Sequence, residues 1–169
     1  MSLQEKKTAY EQQLKKESHI CLSVLLLCII AASVLLRFCF HGFGYLLVLL
    51  LTGLVLFSLL FFVFPYYRRK HRVIPFEKEL AAIVAQKEKN SRKEDFYEAL
   101  THMKHAPANW FGEVTLQFNL STALFEKGEA QAACALLEEL ETVAPQNVLR
   151  PIRLQKEAIQ KTLAQNPKA

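Results

Sequence analysis

His102 and His105 stand three residues apart, a spacing that sets two imidazoles over one face of a helix. A metal held there needs a further ligand, and none stands beside them, so both are expected to be solvated. Of the four cysteines, Cys21 and Cys28 fall in an apolar run, Cys39 follows it and Cys134 lies far downstream. They form no framework, and small apolar side chains are their expected role, with Cys39 able to cross-link two copies in an oxidising compartment. No serine or cysteine has a partnered His and acid, so nucleophilic catalysis lacks its machinery. A Gly-rich phosphate loop and a dinucleotide fingerprint are both missing. The sequence predicts no enzyme, no cofactor and no metal.

A different chemistry is written into Pro65 to Arg72. Net charge is +5 over 169 residues, and residues 65–75 carry +4 of it through Arg68, Arg69, Lys70 and Arg72. Residues 76–169 hold twelve basic and thirteen acidic groups, so no nucleic-acid surface is expected. Tyr66, Tyr67, Arg68, Arg69, Lys70 and Arg72 are instead expected at a membrane interface. The rings suit headgroup depth, and each cation contributes about 1 kcal/mol against anionic lipid.

The elements that place this cluster come before it. Residues 20–36 and 43–64 are two apolar runs with no acidic residue. Bilayer crossing takes about 20 such residues. Sixteen Leu, Val or Phe side chains between Leu46 and Phe64 favour insertion by roughly 5–10 kcal/mol. The sequence therefore predicts a two-helix transmembrane hairpin over 19–64, after a polar segment at 1–18. Ser23, Ala31, Ala32, Ser33, Thr52 and Gly53 are the small residues expected where the spans pack. Arg37 is expected to snorkel at the outer edge. Glu5, Glu11 and Glu17, and the bulky Leu35-Leu36-Arg37-Phe38, argue against a cleavable signal. Lysines before the first span and the cluster after the second put both termini in the cytoplasm. A bacterial cytoplasmic membrane is the expected setting.

After a basic linker at 65–75, residues 76–169 carry the periodicity of amphipathic helices and no strand alternation. Phe76, Leu80, Ile83 and Val84 mark the first helix; Phe96, Leu100 and Met103 the second. Leu116, Leu120, Ala123 and Leu124 mark a third that ends at Gly128. Ala133, Leu136, Leu137, Leu140 and Val143 mark a fourth. Leu149, Ile152, Ile159 and Leu163 mark a fifth, with Asn147 as cap and Pro151 in its first turn. Leu120 and Ala133 are expected to face each other across the Gly128 turn. The fold class is all-α.

Residues 114–147 resemble one tetratricopeptide repeat over that family's period of 34 residues. Matching positions are Asn119-Leu120-Ser121, Ala123, Leu124, Gly128, Ala133, Leu137 and Pro145-Gln146-Asn147, while Gln117 and Leu140 depart from the pattern. Phe76 to Pro107 resembles a degenerate repeat around Ala99. The resemblance implies a concave groove for a partner peptide or helix, lined by Thr115, Phe118, Asn119, Thr122 and Phe125, with Arg153 on the last helix. Asn119 and Arg153 occupy positions that hold polar or basic residues in relatives clamping a carboxylate. The expected function is a membrane-anchored adaptor or scaffold, with a partner or a second copy completing the array. A structural subunit of a membrane complex and a membrane-remodelling hairpin are the rival expectations.

Overall fold

The computed structural model describes residues 2–39, 43–89 and 93–165, which are all-α, with no strand among them. The helices are α1 (Leu3–Cys39), α2 (Phe43–Ser58), α3 (Phe64–Arg68), α4 (Ile74–Lys89), α5 (Lys93–Thr101), α6 (Trp110–Glu126), α7 (Ala130–Val143) and α8 (Gln146–Gln165). Residues 65–75, expected as a linker, are helical throughout. π turns at Leu59–Val63 and Arg69–Val73 join α2 to α3 and α3 to α4. Prolines explain both. Pro65 and Pro75 offer no N–H to the carbonyls four residues back, those of Phe61 and His71. Each of those residues sits at the middle of a π turn, where the widened helix accommodates the ring and the lost donor.

The chain divides into two units, Ala9–Lys70 and the described parts of Met1–Thr8 with His71–Ala169. The first unit turns its apolar residues outward. Leu22, Leu27, Leu54, Phe61 and Phe62 are all exposed. Two helical stretches, Leu3–Val34 and Val48–Lys87, are long and apolar enough to cross a membrane, and nothing in their most apolar windows is buried. The hydroxyls of Ser33 and Thr52 donate to carbonyls one turn back on their own helix, at 2.8 Å each. Ala32, Ser33, Thr52 and Gly53 are half-buried, whereas Ser23 and Ala31 are exposed. Among the described residues, a Cβ on Gly53 would meet nothing within 4 Å. The turn expected at 37–42 is helical through Cys39, and its remainder lies outside the described residues.

The second unit has two cores that meet at α6. One contains Val114, Ala133, Leu137, Leu140, Val143, Ile152 and Ile159. The other contains Phe76, Leu80, Phe96, Leu100 and Ala123, with Leu116 and Leu120 packed on it. Leu120 therefore lies with α4 and α5, whereas Ala133 belongs to the first core, which corrects the expected pairing. Gly128, at φ 94, ends α6 in the left-handed region, and Glu129 N–H donates to the Leu124 carbonyl at 2.9 Å. α8 starts at Gln146, so Asn147 is inside the helix and does not cap it. Pro151 falls in the second turn, where it removes a hydrogen bond.

The start of the chain belongs to this unit, which the expected 1–18 segment did not include. Ser2 and Glu5 form a capping box: Glu5 N–H donates to Ser2 Oγ at 3.2 Å, and Ser2 N–H to Glu5 Oε2 at 2.9 Å. Leu3 is buried in the first core. Lys6 Nζ lies 2.6 Å from Oε1 of Glu113, whose side chain is only 6 % exposed and also accepts from Gln117 at 2.9 Å. Hydrogen bonds to such charged groups contribute about 1.5–3 kcal/mol. Lys6→Met is predicted to lower unfolding stability by an amount in that range, read from denaturant titration of the full chain in detergent, with Lys7→Met near neutral.

Candidate functional site

A helix packed on two cores keeps only a narrow stripe for anything else. On α6 that stripe is Phe111, Thr115 and Asn119, spaced at i, i+4 and i+8, which sets all three on one side. They border a groove of about 390 Å³, closed from the other side by Phe76, Leu80 and Val84 of α4. Phe111 is half exposed. The lining is largely aliphatic and aromatic, with Glu77, the hydroxyl of Thr115 and the amides of Asn109 and Asn119 as polar points.

Local sequence chemistry shapes the mouth. Asn109, in extended conformation, caps α6 by accepting the Gly112 N–H on Oδ1 at 2.7 Å. Gly112 lets α4 approach: a Cβ there would stand 3.1 Å from a ring carbon of Phe76 and 3.3 Å from Asn109 Oδ1. Glu79 of α4 holds the loop after α5. Its carboxylate accepts the backbone N–H of Lys104 at 2.8 Å and that of His105 at 2.9 Å, and meets His105 Nδ1 at 2.8 Å. The Lys104 N–H, followed by the His105 contacts, holds the Glu79 carboxyl below its ordinary value of 4.5. His105 is thus engaged with a carboxylate, and the described residues contain no cluster of three metal-ligating side chains.

The six expected groove residues separate. Thr115 and Asn119 line the groove; the Thr115 hydroxyl donates to the Phe111 carbonyl at 2.9 Å, and the Asn119 amide to the Thr115 carbonyl at 2.8 Å. Phe118 and Phe125 pack, partly buried, on the α7–α8 core. Thr122 accepts from Gln155 Nε2 of α8 at 2.8 Å. Arg153 is bound to Glu141 at 2.6 Å, alongside Lys156 at 2.6 Å. That double pairing lowers the Glu141 pKa, through Lys156 and then Arg153, and raises that of Lys156 through Glu141. The groove does not bring Arg153 to Asn119. In the cationic cluster, Tyr66, Tyr67, Arg69, Lys70 and Arg72 are exposed, and Arg68 pairs with Glu17 of α1 at 3.1 Å.

Sequence reasoning missed Asn109, Phe111, Gly112 and Glu79. Asn109, a capping residue just before the helical run at Trp110, carried a readable signal. The partner of Glu79 is 25 residues away along the chain and carried none. No protein-family model matches this chain, and no curated protein or solved structure matches it either.

Two outcomes follow for the mouth. Asn109→Ala is predicted to cost about 1 kcal/mol of stability by chemical denaturation, the usual value of a lost cap. A carboxyl held below its ordinary value stabilises the fold fully above 4.5, and that contribution is lost as pH falls below it. Glu79→Gln is therefore predicted to destabilise the chain at pH 7. Its deficit against the parent should narrow as unfolding is repeated below pH 4.5.

Proposed function

We propose that this chain is a membrane-anchored adaptor in which a two-pass hairpin holds a tetratricopeptide-like helical unit at the cytoplasmic face. The α4–α6 groove takes a peptide or helix of a protein partner. The observation that carries the reading is the division of apolar residues. The helical unit buries its own in two cores, whereas the long apolar helices bury none in their windows. Helices so exposed are compatible with lipid and costly in water. The chain leaves the helical unit after Thr8 and rejoins it at His71. In this reading the chain crosses twice and the hairpin returns to the side from which it started. The exposed Tyr66, Tyr67, Arg69, Lys70 and Arg72 then lie where anionic headgroups are met.

For the repeat reading, α6 and α7 flank Gly128, α6 beginning at Trp110 just before 114–147, with α4 and α5 upstream and α8 as the cap. Confinement to a membrane raises effective concentration, so a groove of this size serves even at modest intrinsic affinity. No step of bond making or breaking is assigned to it.

A photoreactive amino acid placed in turn at Thr115, Asn119 and the exposed α7 residue Gln131 tests the assignment in native membranes. A discrete adduct is expected from 115 and 119 and none from 131, with Asn119→Arg abolishing the adduct at 115. Equal adducts from all three positions would overturn the groove. Retention of every partner by a chain lacking 76–169 would make the hairpin the interface and favour a structural subunit.

A further inference from the structure

The segment that begins α1 is seated on the helical unit as a ligand is seated in a site. Three different contacts hold it across α6 and α7. The side chain of Leu3 is 4 % exposed and joins the core of Val114, Ala130, Ala133 and Leu137. Its backbone N–H, one of the donors left over at a helix start, donates to Glu139 Oε1 of α7 at 2.5 Å. Lys6 Nζ reaches Glu113 Oε1 of α6 at 2.6 Å. The i, i+3 spacing places Leu3 and Lys6 on the same side of α1, so one helical turn delivers the apolar anchor and the cation together. The Ser2–Glu5 capping box fixes the start of that turn.

Glu113 makes this more than incidental packing. A carboxylate 6 % exposed needs a cation and donors to offset its lost hydration; Lys6 supplies the cation and Gln117 donates as a neutral group. Glu139 adds a carboxylate at the positive end of α1, which the helix dipole favours. The site is thus specified on three counts: an apolar socket, a buried anionic acceptor, and a second carboxylate for a helix N-terminus. Neither the groove between α4 and α6 nor the hairpin contributes to it.

We propose that this face of α6 and α7 is a second recognition site. It binds the start of an amphipathic helix that presents an apolar side chain and, three residues on, a lysine. Residues 2–6 are its built-in occupant. Being part of the same chain, they hold the site at high effective concentration and keep it closed against a competing segment in trans. A partner segment of the same chemistry gains access when this clasp is released, so the clasp sets a threshold for the second site.

The test uses full-length protein in detergent micelles and a fluorescent peptide of residues 2–10, SLQEKKTAY, labelled at its C-terminal end. Fluorescence anisotropy is read for the parent chain and for Leu3→Asp/Lys6→Glu, in which the clasp is disabled. The disabled chain is expected to bind at least tenfold more tightly than the parent. Adding Glu113→Gln to it should reverse that gain. Because that substitution can disturb folding, a charge exchange supplies the second readout. A chain with Leu3→Asp/Lys6→Ala and Glu113→Lys, in which residue 6 cannot pair with the new lysine, should prefer a peptide with Lys6→Glu over the natural peptide. Equal binding to parent and disabled chains, binding to neither, or indifference to the charge exchange would each overturn the proposal.

Discussion

One helix has to satisfy every neighbour at once, and the arrangement of the helical unit follows from that. α6 gives Val114 and Phe118 to the core with α7 and α8, and Leu116, Leu120 and Ala123 to the core with α4 and α5. Glu113 and Gln117 serve the incoming lysine of the first turn of the chain. What is left is the stripe Phe111, Thr115, Asn119, and that stripe borders the groove. A helix has about 3.6 residues per turn, so three occupied sides leave room for a single open one. The groove is therefore a consequence of how α6 is shared. α8 secures the arrangement through Gln155, whose amide meets Thr122 at 2.8 Å and Ser121 at 3.4 Å.

The same sharing explains which expectations held. Apolar residues at helical spacing were readable because burial follows periodicity: Phe76, Leu80, Phe96, Leu100, Leu137, Ile152 and Ile159 are buried as their pattern implies. The Gly128 stop and the all-α class were readable for equally local reasons. Which side of α6 faces which neighbour was not. Carrying a groove over from a family pattern grouped Phe118, Thr122 and Phe125 with Thr115 and Asn119. The actual distribution depends on α8 packing at Thr122 and on α4 approaching at Gly112, contacts between residues distant in sequence. The clasp was half legible. Its Ser2–Glu5 capping box is a local signal, whereas the docking of Lys6 on Glu113 spans 107 residues and leaves no trace in periodicity.

The hairpin unit obeys a simpler rule. Large apolar side chains such as Leu22, Leu27, Leu54 and Phe62 face outward, the Ser33 and Thr52 hydroxyls bond back to their own helices, and the Glu17–Arg68 ion pair joins the two arms. Pro65 is absorbed by the π turn at Leu59–Val63 rather than by a break, so the second arm stays helical. Those are the properties a bilayer demands of a crossing segment, and they sit beside a helical unit built by the opposite rule.

Sidedness tests this account most directly. In a chain whose native cysteines are serine, single cysteines at Ser2, His41 and the exposed α8 residue Gln160 are labelled in sealed vesicles with a membrane-impermeant maleimide. The account predicts that 2 and 160 react from one face and 41 from the other. Labelling of 2 and 160 from opposite faces, or of all three from the same face, would contradict it.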